Sequence, residues 1–314
     1  MPLDRNTFIS LGLEATIPAE INGRRNGVAN DPAWDADYLP CPEAEGVAES
    51  ERGNLLRYED WSATDIYAGT RRLLQIYVPK QAGKDASVIF FNDGSFYLSR
   101  KGPVRATHVL DHLISNKNIR PAIAVFINPG VPDQTVTVKP IDSYGDIEAQ
   151  RSLEYDRLTP DYGNFLFQEV LPFVESETGL QISENPENRT VCGISSGGIA
   201  AFTAAWQHPD WCTRVLSHCG SFTNIWGGHN YPAMIRSQPR KPIRVFLTSN
   251  ENDADTPFGN WALANKTMAG ALDYAGYDYR FEFGHGGHSL NHGGSIFADS
   301  LRWLAAGENG NSFQ

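Results

Sequence analysis

Residues 189–198, with the sequence RTVCGISSGG, decide the fold. A short β-prone run ends there in the pattern Gly-x-Ser-x-Gly and passes into residues 199–206, IAAFTAAW, which favour a helix. The pattern predicts a sharp strand-to-helix turn, with glycines where side chains would collide with the neighbouring strand and helix. The turn would lift Ser195 out of the sheet and place its hydroxyl at the positive end of a helix. Ser195 is therefore predicted to be a nucleophile, and a plain glycine-rich turn is the alternative.

The composition limits the class of protein. The chain has 314 residues, of which 41% are hydrophobic, and α/β folds of this length commonly form one domain. No run approaches the roughly 18 to 20 apolar residues of a membrane span, and the first residues, MPLDRN, lack the pattern of a signal peptide. A net charge of −11 disfavours nucleic acid or an anionic membrane as a partner. We expect a cytoplasmic protein that binds a small molecule; a mature secreted form and a homo-oligomer remain open.

Two segments differ in character. Residues 1–57 are rich in Pro, Gly, Asn and Asp, which predicts an irregular N-terminal arm packed on the body, with Trp34, Tyr38 and Trp61 available for docking. Residues 58–314 are predicted to form the catalytic domain, in which strands alternate with helices. That alternation implies an α/β fold with a mostly parallel central sheet and helices on both faces. Outside the Ser195 turn, strands are expected at 71–79, 87–91, 121–127, 214–218, 243–248 and 279–283, and helices at 103–115, 159–178, 231–237, 261–274 and 294–305. A flexible loop is expected at 92–95, a long loop from residue 128 to 155, and a bend at Pro172 in the helix at 159–178.

A serine nucleophile needs a base and an acid that holds the base in one tautomer. In α/β-hydrolases these residues follow in the order serine, acid, histidine. The strand at 244–248 runs into SNENDAD (249–255), which holds three carboxylates. Asp253 is the preferred acid, Glu251 and Asp255 remain alternatives, and a solvated acidic turn is the simplest other interpretation.

The base is expected after the last strand, in the glycine-rich stretch GHGGHSLNHGG (284–294). His288 is the preferred base, because flanking glycines allow it to approach the turn at Ser195 without strain. His292 is expected to orient a helix start or to line the substrate pocket. His285, His288 and His292 together could bind a metal, but glycine-rich loops hold ligands less rigidly than a helix does. The four cysteines show no zinc spacing, so no metal is expected.

An oxyanion hole would complete the site. One donor is expected to be the backbone amide of Ser196, and the other the amide of Gly94 or Ser95 after the strand at 87–91. Aromatic residues expected to line the substrate pocket are Phe96, Tyr97, Tyr144 and Trp226. The nearby cations are Arg100, Lys101, Lys139 and Arg151.

Eight short motifs resemble one known family. They are FNDG (91–94), NPGVP (128–132), SLEYD (152–156), CGISSGG (192–198), GSFTN (220–224), GNW (259–261), GGH (286–288) and HGG (292–294). Together they resemble the enterochelin-esterase-like branch of the esterase D superfamily over roughly residues 55–305. The resemblance implies an α/β-hydrolase fold, no cofactor, and a triad of Ser195, Asp253 and His288. It does not determine the substrate.

The leading hypothesis is a serine carboxylic-ester hydrolase that works through an acyl-enzyme. Short-chain, aromatic (feruloyl-like) or lactone-type esters are the expected substrates. An acyltransferase that uses the same three residues is one alternative, and a non-catalytic binding protein on the same fold is another.

Overall fold

The computed structural model describes residues 31–132 and 148–306, together with the backbone of two short strands, Glu20–Ile21 and Arg24–Arg25. A nine-stranded sheet forms the centre of the described part of the chain. Its eight long strands are β1 (Asn54–Ser62), β2 (Thr70–Val78), β3 (Ser87–Asn92), β4 (Ala122–Ile127), β5 (Arg189–Ile194), β6 (Arg214–His218), β7 (Arg244–Asn252) and β8 (Asp278–Gly287). The ninth, Val131–Pro132, pairs with β2.

The long strands lie in the order β8–β7–β6–β5–β3–β4–β2–β1. The pairs β1–β2 and β2–β4 are antiparallel, and the other neighbouring long strands are parallel. The predicted mostly parallel sheet is therefore confirmed. Because the carboxyl ends of parallel strands meet at one edge, the residues that follow β3, β5, β7 and β8 are brought close together.

Helices cover both faces of the sheet. They are α1 (Gly94–Leu98), α2 (Ala106–Ser115), α3 (Glu148–Tyr155), α4 (Asp161–Asn164, Phe165–Val170 and Leu171–Thr178 in succession), α5 (Ser196–Gln207), α6 (Tyr231–Ser237), α7 (Trp261–Tyr274), α8 (Asn291–Ser295) and α9 (Phe297–Ala305). None of the helices in the described residues combines the length and the apolar character that a membrane span requires.

The apolar core lies in two layers because successive strand side chains point to opposite faces. Phe90 belongs to the layer that also contains residues of α4, α5 and α7, whereas its neighbour Phe91 belongs to the layer under α2 and α9. All six residues of β4 are buried. Such continuous apolar runs are typical of strands covered on both faces.

Three local predictions were wrong. Residues 148–155 form α3 inside the long loop that was expected to run from residue 128 to 155. The loop expected after β3 is short, and α1 begins at Gly94. The helix expected at 294–305 is divided between α8 and α9. The bend expected in the helix at 159–178 takes the form of a π-helical segment, Phe165–Val170, just before Pro172, whose nitrogen cannot donate a hydrogen bond.

The described part of the arm contacts the body through Tyr38, one of the three residues expected to dock it. Tyr38 stacks on His285 and His292, with ring centroids 4.7 and 4.8 Å apart. Trp61 packs against Phe165 and lies in β1, which begins at Asn54 and so crosses the expected boundary at residue 57. The division into an arm at 1–57 and a catalytic domain at 58–314 stays a prediction.

Candidate active site

Ser195 occupies a strained turn between β5 and α5. Its backbone has φ 59° and ψ −123°, a conformation that residues other than glycine rarely adopt and that is concentrated at functional sites. A Cβ atom at Gly193 would lie 2.2 Å from the Gly197 carbonyl oxygen, and a Cβ at Gly197 would lie 3.1 Å from the side chain of Asn92. Glycine is therefore required at position 193, whereas a side chain at position 197 would need its neighbours to shift by a few tenths of an ångström. The predicted strand-to-helix turn is confirmed.

Asp253 and His288 lie in contact. Asp253 follows β7, His288 follows β8, and His288 Nδ1 is 2.5 Å from Asp253 Oδ1. Ser249 Oγ donates to the other carboxylate oxygen at 2.5 Å, and the Ala254 amide donates to Oδ1 at 2.8 Å. Each lone pair used in this way fixes the orientation of the carboxylate. The bond to Nδ1 leaves Nε2 of His288 facing away from the acid.

The Asp253 carboxylate is kept ionised although its side chain is buried. Burial alone would raise the pKa of Asp253, but the hydrogen bond and the charge of His288, with the bonds from Ser249 and Ala254, lower it below its usual value. The two alternative acids, Glu251 and Asp255, are exposed. Burial and contact with His288 therefore favour Asp253 over both of them.

Ser195 is linked to this pair through two other side chains. Ser195 Oγ lies 3.2 Å from Ser221 Oγ, and the indole nitrogen of Trp261 donates to Ser221 Oγ at 3.1 Å. The Trp261 ring in turn meets the ring of His288 edge-on, with centroids 5.9 Å apart. Within the described residues no direct hydrogen bond joins Ser195 to His288, as is common before a substrate binds.

The expected oxyanion donors lie on either side of the turn at Ser195. Ser196 is the first residue of α5, so its amide has no acceptor within the helix. The Ser95 amide donates to Asn128 Oδ1 at 3.1 Å, which makes it a poorer candidate than Gly94. A Cβ atom at Gly94 would lie 2.5 Å from the backbone of Phe126, so glycine is required there.

A network of charges lies beside the Ser195 turn. Arg151 binds both carboxylate oxygens of Asp93, at 3.0 and 2.7 Å, and Asp93 lies next to Gly197. Asp156 is buried nearby, where it accepts from Ser152 Oγ at 2.8 Å. Burial raises the pKa of Asp156 to about 6, although the charge of Arg151 and hydrogen bonds from Ser152 and Ser196 oppose the shift. Within the part of the chain that the structure describes, neither acid has a histidine partner like that of Asp253.

The expected pocket residues have different environments. Phe96 and Trp226 are half-buried, and the Trp226 indole nitrogen donates to Ser152 Oγ at 3.1 Å. Tyr144 lies outside the described residues. Tyr97 has no exposed surface, and its hydroxyl contacts His218 Nδ1 at 2.9 Å. The expectation that Tyr97 lines the pocket was wrong, because the turns of α1 direct its side chain into the core.

The three histidines of the glycine-rich stretch do not converge on one point. His285 and His292 stack on Tyr38, and His292 is buried, which argues against a place in the pocket wall. Within the described residues, the one group whose potential metal-ligand atoms lie within 4.8 Å of one another consists of Cys219, Asp253 and His288. The expected absence of a metal stays a prediction.

Sequence reasoning missed the link through Ser221 and Trp261. Both residues lie in motifs that carry the resemblance to esterases, GSFTN and GNW. A hydroxyl and an indole that are 40 positions apart in the sequence have no spacing that signals contact. It also missed Asp35 of the arm. Asp35 Oδ1 accepts from the Gly287 amide at 3.1 Å and Oδ2 from Asn291 Nδ2 at 3.1 Å, next to His288.

Comparison with known proteins agrees with this fold. The model of a family described as "Putative esterase" matches residues 67–303. The iron(III) enterobactin esterase of Dickeya dadantii (strain 3937) is 29% identical over an alignment of 145 residues, and the match covers 40% of this chain and 31% of that protein. The chain thus spans about a third of this curated relative.

Two solved structures have the same fold. The ferric enterobactin esterase from Salmonella typhimurium has a TM-score of 0.64 at 18% identity, covering 85% of this chain and 61% of that one. The feruloyl esterase module from Clostridium thermocellum, crystallised with sinapinate as an S954A mutant, has a TM-score of 0.59 at 15% identity. That match covers 93% of this chain and 99% of the module. Because the family model spans more than half of the sequence, the chain belongs to this esterase family and resembles its enterochelin-esterase-like branch.

Proposed function

We propose that this protein is a serine carboxylic-ester hydrolase that works through an acyl-enzyme. The observation that carries the proposal is the contact of 2.5 Å between His288 and a buried, ionised Asp253, next to a serine in a strained strand-to-helix turn. Membership of an esterase family supports the reaction class. The arrangement has the parts that activate a serine hydroxyl, which is a poor nucleophile alone.

In this mechanism Ser195 Oγ attacks the ester carbonyl carbon while its proton passes to His288 Nε2. The carbonyl electron pair moves onto the oxygen, which accepts hydrogen bonds from the amides of Ser196 and Gly94. Asp253 holds the tautomer and stabilises the imidazolium. Collapse of the tetrahedral intermediate expels the alcohol, which takes the proton from His288. Water then attacks the acyl-enzyme by the same steps and releases the acid and free Ser195.

Short-chain, aromatic or lactone-type esters are the proposed substrates. The half-buried Phe96 and Trp226 would favour flat, partly apolar groups through stacking and buried area. Arg151, one of the candidate cations for a highly anionic ligand, already binds Asp93 through both carboxylate oxygens. We expect kcat/KM to fall with acyl length across a series of p-nitrophenyl esters. A maximum at long acyl chains would indicate a lipase-like pocket instead.

Labelling by a fluorophosphonate probe tests the reaction class. The wild-type chain should be labelled at Ser195, and Ser195→Ala should remain folded while it loses labelling and at least about 10³-fold in turnover. Ser196→Ala is the matched control, since the proposed role of Ser196 uses its backbone amide. If Ser196→Ala lost turnover while Ser195→Ala stayed active, Ser195 would not be the nucleophile. Adding alcohol acceptors during turnover separates hydrolysis from acyl transfer.

A further inference from the structure

Ser221 is bound to Ser195 twice. Its amide donates to the Ser195 carbonyl oxygen at 3.0 Å, and the two hydroxyl oxygens lie 3.2 Å apart. Ser221 follows β6 and is only 1% exposed. Cys219, two residues before Ser221, has φ 46°, so this stretch bends sharply toward the Ser195 turn. The position of the Ser221 hydroxyl relative to the Ser195 turn is therefore determined by the backbone.

Hydrogen-bond accounting gives the direction of the contact between the two hydroxyls. The Trp261 indole can only donate, so Ser221 Oγ accepts there and must place its own proton elsewhere. Among the described residues, Ser195 Oγ is the other partner of Ser221 Oγ. If Ser195 donated to Ser221, the buried Ser221 proton would be left unsatisfied, at a cost of roughly 1 to 3 kcal/mol. Donation from Ser221 to Ser195 is favoured.

Trp261 joins this contact to the other half of the site. Its amide donates to the carbonyl oxygen of Ala254, the residue after the proposed acid, at 2.8 Å. Asn265 Nδ2 donates to the carbonyl oxygens of both Gly220 and Trp261 at 2.9 Å, which holds the Ser221 segment against the start of α7. The Trp261 ring contacts the ring of His288. One side chain thus contacts both the hydroxyl that binds Ser195 and the ring of the proposed base.

We propose that Ser221, oriented by Trp261, is a positioning residue that donates to Ser195 Oγ and so leaves the Ser195 proton free for transfer to His288. This rests on the proposed function. Without the Ser221 hydroxyl, Ser195 Oγ would sample other rotamers, and its proton would face His288 for only a part of the time. Loss of alignment of this kind lowers the rate of the chemical step while binding of substrate is retained.

Kinetics of single and double variants test the proposal. Ser221→Ala should lower kcat for p-nitrophenyl acetate by about 10- to 100-fold with KM within about threefold, and should slow fluorophosphonate labelling by a similar factor. Trp261→Phe, which removes the N–H but keeps a ring, should lower kcat by about 3- to 10-fold. The double variant should have the kcat of Ser221→Ala alone, because Trp261 acts through Ser221.

Thermal unfolding separates positioning from a structural role. Ser221→Ala leaves the Trp261 N–H buried without an acceptor, so the variant should unfold at a lower temperature than the wild type, and the double variant should recover part of that loss. The kcat of the double variant should stay at that of Ser221→Ala. If the double variant recovered kcat together with stability, or if the kcat of Ser221→Ala lay within twofold of the wild type, Ser221 and Trp261 would have only a structural role.

Ser217→Ala is the matched control, since Ser217 is equally buried in β6 and its hydroxyl has no hydrogen-bond partner among the described residues. It should keep the kcat of the wild type. An unlabelled, inactive wild type would contradict the proposed function itself. A labelled wild type whose Ser221→Ala variant is labelled equally fast would contradict only the role of Ser221.

Discussion

The two turns that carry the proposed nucleophile and base are held in place by different means. The Ser195 turn takes its shape from its own sequence neighbours, since the Gly198 amide donates to the Ser195 carbonyl oxygen at 2.9 Å and Gly193 packs against Gly197. Distant residues, among them Ser221 and Asn92, then bind the backbone of that turn. The His288 turn is held by distant residues. Asp35 binds the Gly287 amide across 252 positions of sequence.

Side chains of β7 hold the other side of the His288 turn. Asn250 Nδ2 donates to the Gly287 carbonyl oxygen at 2.8 Å, and Asn252 Nδ2 donates to the His285 carbonyl oxygen at 2.7 Å. The strand-to-helix turn of a serine nucleophile can therefore be encoded largely within ten residues, whereas the position of its histidine depends on the arm and on the neighbouring strand β7. Changes near His288 should act over longer distances in sequence than changes near Ser195.

The largest effect that separates the two turns is expected from Asp253→Asn. An amide in place of the carboxylate can favour the wrong tautomer of His288, so kcat should fall by about 10³- to 10⁴-fold while Ser195 stays in its turn. Glu251→Gln and Asp255→Asn are the controls and should keep most of the activity, because both side chains are exposed. Steady-state kinetics on the three variants measure these effects. If Glu251→Gln or Asp255→Asn lost more kcat than Asp253→Asn, the role of the acid would pass to that residue.

A smaller effect is expected from Asp35→Ala. It removes the acceptor of the Gly287 amide and of Asn291, so kcat should fall by about tenfold through misplacement of His288. Hydrogen exchange should become faster at residues 284–292 and stay unchanged at 193–198. Glu49→Ala, an exposed acid elsewhere on the arm, should behave as the wild type in both measurements. Equal protection at 284–292 in all three chains would show that the arm does not hold this turn.

The smallest effect is expected from Asp156→Asn and concerns stability. Its pKa of about 6 lies above the unfolded value of about 4, so the folded protein loses stability as pH rises through this window. Asp253, whose pKa is lowered, has the opposite sign: its contribution is present above the unfolded value and is lost as pH falls through the lowered pKa.

Asp156→Asn should therefore raise the free energy of unfolding at pH 8 by about 1 to 3 kcal/mol and leave it unchanged at pH 4. Chemical denaturation at the two pH values measures the difference. The exposed Asp210→Asn variant should show no change at either pH. A gain at pH 4 as large as that at pH 8 would mean that ionisation of Asp156 is not its cause.

The success of sequence reasoning follows the same division between local and distant contacts. The turn at Ser195, the parallel sheet and the position of α7 at residues 261–274 could be predicted, since each depends on a local pattern of glycines or apolar residues. The sequence wrongly predicts Tyr97 in the pocket, because α1, the helix that turns this side chain inward, has only five residues and too little periodicity to be recognised. The contacts of Ser221 and Asp35 could not be predicted, because they join segments that have no pattern in common.

The contact between Asp35 and Gly287 also has a consequence for how the chain is made. During synthesis Asp35 leaves the ribosome first, and the amide that it must bind follows 252 residues later. The strands β1–β4 can pair among themselves in the meantime, whereas Asp35 and Tyr38 can reach their partners at residues 285–292 only after β8 has been synthesised. Contacts of such long sequence separation form late in folding. We therefore expect a newly made chain to acquire most of its helix content and compactness before the turn that carries His288, the proposed base, is in place.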